Sequence, residues 1–200
     1  GLAGGYNSNI TRMIIDEGFT KENTVVYAVG KKGRELLERK GYEIKADYSE
    51  AINDPIYKDA KEICDDVLSA FADGEVGEIY LAYTVFKNTV VHEPQLIRLL
   101  PVEADDAAHE TDGSEALMTY EPSEEEALDM IIPKYVCSLV YGALIESVAS
   151  ENGARMQAMD SATSNAEEMI STLSLKYNRA RQASITQELT EIIAGANAIE

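Results

Sequence analysis

"ASENGARMQAMDSATSNAEEMISTLSLKYNRA", from Ala149 to Ala180, is the stretch whose reading decides the fold. Ile145, Asn152, Met159, Ala166, Leu173 and Ala180 are spaced by sevens, and so are Ala149, Met156, Thr163, Ile170, Tyr177 and Ser184. Two such columns make the a and d positions of sustained heptads, which imply a left-handed coiled coil with another helix. The seam holds alanine, serine, threonine and asparagine where leucine is expected. Small side chains let two helices approach closely but bury little area. Upstream, Ser123 and Glu126 form a capping box, and Glu124 and Glu125 add favourable charge to the first turn. From Ser123 nothing stops a helix for about 70 residues, roughly 105 Å. Pro133 is near enough to the start to kink or restart it, and Gly142 and Gly153 are weak points only. No second helix of that length exists in the chain. The partner is therefore another molecule or a segment preceding Gly1.

Before about Pro122 the pattern alternates between strand and helix. "TVVYAV" (Thr24 to Val29) is a short, continuously apolar run of the buried parallel-strand type. "KKGRELLERKG" reads as a helix with Leu36 and Leu37 on one side and Gly41 as its stop, and "YEIKADY" as a second strand. Asp54 and Pro55 look like an N-cap and a first-turn proline. The helix they would open sets Ile56, Ala60, Ile63, Val67 and Phe71 on one stripe. "GEIYLAYTVF" and "TVVHEPQLIRLLP", joined through Lys87 and Asn88, read as a long hairpin, with Pro94 suggesting an edge. The expected fold is α/β: a Rossmann-like domain over residues 1–122, then a very long C-terminal coiled-coil helix over 123–200.

The chain of 200 residues is 45% hydrophobic and carries 36 acids against 17 bases, a net charge of -19. Such a field repels phosphate backbones and disfavours nucleic acid as a partner. Against that field, no acid separates Met169 from Gln187, and Lys176, Arg179 and Arg181 form a basic island there. Whatever the island meets should be acidic. Cys64 and Cys137, the only cysteines, lie in apolar helical contexts that suit a reducing compartment. No apolar run is expected to span a membrane, and no secretory signal precedes Gly1. The sequon Asn9-Ile10-Thr11 is read as chance. A start without Met, inside a glycine turn, reads as a fragment whose upstream part has been removed.

Two stretches imitate ligand sites. "GLAGGYN" at the start would be a turn from a strand into a helix over Asn9 to Glu17. It lacks the Lys-Ser/Thr of a P-loop, the G-x-G-x-x-G spacing and an acidic ribose ligand, so a structural turn is the better reading. "EADDAAHETDG", Glu103 to Gly113, gathers acids around His109 without the positional order of a calcium loop, and reads as a solvated loop. The histidines, His92 and His109, have no paired nucleophile. No catalytic, cofactor-binding or metal-ligating residue is assigned.

"GLAGGYN", "ASENGARMQAMDSATSNA" and above all "YNRARQASITQELTEI" closely resemble the γ subunit, the central rotor shaft, of F-type ATP synthases. The resemblance keeps the order of all motifs from Gly1 to the last residues. The C-terminal stretch is highly specific, since its many polar positions match together where helix formation alone would tolerate nearly anything. Ala3 stands where many relatives have cysteine. The family begins with a long N-terminal helix and a first strand, both absent here, and that helix is the antiparallel partner of the C-terminal one.

The resemblance implies a non-catalytic rotor in a proton- or sodium-transporting complex. Its partners would be the α and β subunits of the catalytic hexamer, the ε subunit, the membrane c-ring and the N-terminal helix of the same subunit. Its place would be the cytoplasmic face of a bacterial cell membrane, as a peripheral component. Arg181 and Gln182 match positions that engage the catch loops of the stator, with Thr186 and Glu188 on the same contact surface. Arg155 matches a position facing an acidic segment of the β subunits, and Tyr120 and Glu121 match the foot on the c-ring. Two other readings compete. A nucleotide-binding α/β enzyme with a dimerising coiled coil fails for want of a phosphate loop and acid/base groups. A homomeric coiled-coil interaction protein with an α/β head explains the heptads but not the polar identity of the last twenty residues.

Overall fold

The computed structural model describes residues 3–52, 54–102 and 123–197. Leu2, the loop from Glu103 to Gly113 with His109, and the side chains of Glu124 and Glu125 lie outside what is described. The element order is α1 (Gly4–Asp16), β1 (Val25–Ala28), α2 (Lys31–Arg39), β2 (Glu43–Asp47), α3 (Tyr57–Ala72), β3 (Ile79–Phe86), β4 (His92–Leu100) and α4 (Glu124–Asn197). The chain divides into two units, residues 1–155 and 156–200.

In the first unit β1 and β2 pair in parallel across α2, the strand–helix–strand unit that the sequence suggests, with a register irregularity between Val26 and Tyr27. Gly41 ends α2 as expected. At φ +87° it occupies the left-handed region, where the Gly41 N–H donates to the Glu38 carbonyl at 2.9 Å and the Tyr42 N–H to the Leu37 carbonyl at 3.2 Å. That pair of bonds is a Schellman stop, and buried Leu37 and Tyr42 supply its apolar contact. β3 and β4 form the expected antiparallel hairpin, a separate two-stranded sheet, with Pro94 opposite Thr84.

Two helix starts differ from the sequence reading. α1 begins at Gly4 and takes Gly5 into its first turns, so the glycines are helical rather than a turn. α3 begins at Tyr57, not after Asp54. Asp59 is the reason: its carboxylate accepts from the Ile56 N–H at 3.0 Å, satisfying a free donor of the first turn from inside the helix. Ile56, extended at φ -110° and ψ 160°, is consequently the N-cap. At 52% exposure it is not part of the buried stripe.

The core joins Ala60, Ile63 and Cys64 of α3 to Ile79, Leu99 and Leu100 of the hairpin and to Val136, Cys137, Val140 and Leu144 of α4. Val136, Cys137, Val140, Ala143 and Leu144 recur at one, four, seven and eight residues, which is one face of a helix. This face corrects the expectation about apolar runs. An 18-residue window of α4 reaches a mean hydropathy of 1.5, enough by length and composition to cross a membrane. Its hydrophobicity has a second source, because 28% of the window is buried against α3 and the hairpin. Pro133 lies inside α4 without ending it. The Ser123 hydroxyl caps the start, accepting from the Glu126 N–H at 3.2 Å.

Beyond the apolar face the contacts of α4 become polar. Ser150 is fully buried and its hydroxyl donates to the Thr84 carbonyl of β3 at 3.2 Å. The Tyr6 hydroxyl of α1 donates to the Ser147 carbonyl at 3.0 Å. His92 of β4 stacks on Phe86 at 6.1 Å, with 31° between the rings, and its edge faces Gly153. The second unit is helix throughout its described residues, and all of them but Ala158, which is partly covered, are exposed.

Candidate interaction surface of the C-terminal helix

The basic island lies within the second unit, on helix with no interrupting glycine between Gly153 and Gly195. Among the described residues, Lys176, Arg179 and Arg181 have no ion pair or hydrogen bond within the chain. A guanidinium held out with no internal acceptor keeps all five donors for a partner.

Helical geometry sorts the other assigned residues. Arg181 and Glu188, seven apart, lie on one side of α4, and Gln182 and Thr186, four apart, lie on a second side about 100° round. Thr186 and Gln182 are linked directly, the Thr186 hydroxyl donating to the Gln182 carbonyl at 2.8 Å. The same backward bond recurs from Thr190 to Thr186 at 2.8 Å and from Thr163 to Met159 at 2.9 Å. Gln187 donates to Glu191 at 3.0 Å. Arg155, in the first unit, differs from Arg181: it pairs with Glu151 and donates to Asn152 at 2.7 Å, both on its own helix. Tyr120 and Glu121 lie outside the described residues.

The heptad columns are open. Met156, Met159, Ile170, Leu173 and Tyr177 are 52–66% exposed, on a helix whose polar residues do not shield them. Met169 and Leu175, which fall in neither column, are as exposed. The sequence reading missed them because heptad spacing asks only about a and d positions. An apolar surface of this extent on a helix is the form that helix-to-helix pairing takes.

No cluster of three or more His, Cys, Asp or Glu able to hold a metal occurs among the described residues. The depression beside α1 is lined by Asn9, Arg12, Met13, Asp16, Glu17 and Pro94. The glycines preceding it, Gly4 and Gly5, lie in the first turn of α1.

A surface of unpartnered cations and open apolar columns on a long helix is an assembly surface, and comparison with known proteins gives the assembly. The family model for ATP synthase matches residues 1–199. The ATP synthase gamma chain of Lachnoclostridium phytofermentans is 67% identical, over 100% of this chain and 70% of that protein. This chain belongs to the ATP synthase gamma-chain family.

The sodium-ion-specific ATP synthase gamma chain of Acetobacterium woodii is 43% identical, over 100% of this chain and 71% of that protein. A chain in the Tetrahymena thermophila mitochondrial ATP synthase structure of central stalk and c-ring superposes with a TM-score of 0.61 and 26% identity. The match covers 82% of this chain and 71% of that one. As a gamma chain this protein is a central-stalk rotor subunit, coupling ion flow to conformational change at catalytic sites elsewhere in the complex. The family accounts for the long helix and for chemistry that lies in other subunits.

Proposed function

We propose that this gamma chain acts by contact alone, presenting two sets of side chains on α4 to the stationary catalytic subunits while its foot turns with the c-ring. Arg181 and Gln182, with Thr186 and Glu188, meet the catch loops of the α and β subunits, and Arg155 meets an acidic segment of β. Tyr120 and Glu121 touch the c-ring, the ε subunit sits beside the α/β head, and the N-terminal helix of the complete subunit pairs antiparallel with the heptad columns. Residues 123–200 are the shaft and 1–122 the head. The complex stands on the cytoplasmic face of a bacterial membrane. Each angular position then presents a different set of contacts to each catalytic site and biases its open–closed equilibrium.

The observation that carries this reading is the unpaired basic island in a chain of net charge -19. A cation cluster that the rest of its own molecule does not neutralise is complementary to acidic loops of another. Arg155 fits the same role with one difference: its pair with Glu151 must open or be shared when β approaches.

Substitution in the assembled complex tests this. Arg181→Ala or Gln182→Ala removes no contact inside this chain except through the backbone, so the subunit should fold and assemble. Turnover or coupling should fall by the loss of contacts worth about 1–3 kcal/mol. Arg179→Ala, with no assigned contact, is the control. Normal turnover and coupling in the Arg181 and Gln182 variants would remove the contact role.

A further inference from the structure

Helix α4 meets the hairpin through two surfaces of different character. From Val136 to Leu144 the contact is apolar, and its one buried face sets the rotation of α4 broadly, without any directional bond to fix it finely. From Ser147 to Gly153 the contact is directional. The Ser150 hydroxyl reaches the Thr84 carbonyl from a fully buried position, and the Tyr6 hydroxyl reaches the Ser147 carbonyl. Turning the helix by one residue, about 100°, would carry Ser150 off its acceptor.

The third element is a seat without a side chain. A Cβ at residue 153 would lie 2.7 Å from His92 Cε1, 3.3 Å from its Nε2 and 3.5 Å from Phe86 Cε2. The imidazole edge therefore occupies the space that any other residue would fill. Phe86 lines the same seat beside the imidazole, its ring centroid 6.1 Å from that of His92. Both imidazole nitrogens are buried without a hydrogen-bond partner among the described residues, so shape rather than hydrogen bonding holds the ring. A glycine in a helix interior is about 1 kcal/mol less favourable than alanine. The void at residue 153 has a use that offsets this.

We propose that the seat of His92 on Gly153, with the Ser150–Thr84 and Tyr6–Ser147 hydrogen bonds, is the joint that transmits turning force between the β3–β4 hairpin and α4, with His92 and Gly153 as its positioning residues. The inference rests on the rotor reading. It adds that the head drives the helix through this short polar segment, while the apolar face holds the two together.

The test uses the complete gamma chain assembled with the other subunits of its complex in vesicles, comparing wild type, Gly153→Ala, His92→Ala and the double variant. ATP hydrolysis and ATP-driven ion transport are measured together, and their ratio is the readout, because a fold defect lowers both alike. Gly153→Ala should lower ions moved per ATP about twofold or more, the factor given by a coupling energy at the low end for residues in contact. His92→Ala should change the ratio less. The double variant should recover it, since removing the ring empties the seat for the new methyl group. An unchanged ratio in Gly153→Ala, or a loss that His92→Ala does not relieve, overturns the joint.

If Gly153→Ala does not assemble, Ser150→Ala and Tyr6→Phe serve instead. Each deletes one directional bond without adding bulk. A lowered ratio supports the joint and an unchanged one overturns it. The rotor reading fails separately, if the wild-type complex hydrolyses ATP without moving ions.

Discussion

Val136→Ala is the sharpest test of how α4 is held to the head. Val136 is 2% exposed and packs in the cluster that joins α4 to Ala60, Ile63 and Cys64 of α3 and to Leu99 and Leu100 of β4. The substitution removes two methyl carbons, worth about 0.8 kcal/mol each in transfer from water. Incomplete closure around the gap adds about 1 kcal/mol. The expected loss is about 2.5 kcal/mol, which at a urea slope near 2.5 kcal/mol/M lowers the unfolding midpoint by about 1 M. Leu173→Ala on the same helix, where the side chain is 63% exposed, should stay within about 0.5 kcal/mol. Both are read by urea titration with circular dichroism, at a protein concentration low enough to keep chains apart. If Val136→Ala shifted the midpoint no more than Leu173→Ala, the core assigned to α4 would be wrong.

Alkali should destabilise the head. Burial, and then the neighbouring Cys137, push the Cys64 thiol up to about 12 from an ordinary value of 9.0. A group with a raised folded pKa favours folding fully below its unfolded pKa and ceases to as pH climbs through the folded one. The loss should therefore begin near pH 9 and grow toward 12, with Tyr48, also raised by burial and by Asp66, adding to it. Thermal midpoints of wild type and Cys64→Ala across that range should converge in slope below pH 9 and diverge above, and parallel curves would refute the assignment. The exposed Met156, Met159, Ile170, Leu173 and Tyr177 should drive this chain, studied alone, to pair or to fray beyond about Gly153, since an isolated helix depends chiefly on packing. Sedimentation at several concentrations alongside circular dichroism decides it, and a strict monomer with full helicity would show that something else holds the helix.

The alternation of strands and helices, the hairpin and the long helix could be read from the sequence because each rests on a local signal. Gly41 stops α2 by backbone geometry, and heptads mark α4 by repetition. Helix starts were less legible where two local signals compete. Asp54-Pro55 has the composition of a start, but Asp59 caps from within and moves it to Tyr57. Gly4 and Gly5 have the composition of a turn, but continuous helix absorbs them. Composition also misjudged the apolar window of α4, whose buried face only tertiary contacts reveal. The seat at Gly153 had no sequence signal, because a missing side chain acquires meaning only from the ring that fills its place. For the candidate surface, the sequence supplied the basic island and the structure supplied its lack of internal partners. The stator and c-ring roles of individual residues rest on resemblance, since their counterparts are on other chains.

The backward-bonded threonines change what α4 offers to a neighbour. Because the hydroxyls of Thr163, Thr186 and Thr190 donate into their own helix, each has used its only proton. What remains outward is a methyl group and an oxygen that can only accept. Thr186 therefore presents a surface closer to valine than its formula suggests. A stator loop reaching it gains by bringing an N–H or an apolar side chain, and gains nothing from a carboxylate there. Acidic loops would instead be drawn to Arg181, about 140° away around the helix. The two sides of α4 thus ask for different chemistry: an acceptor at Arg181, and at Thr186 a donor or an apolar group.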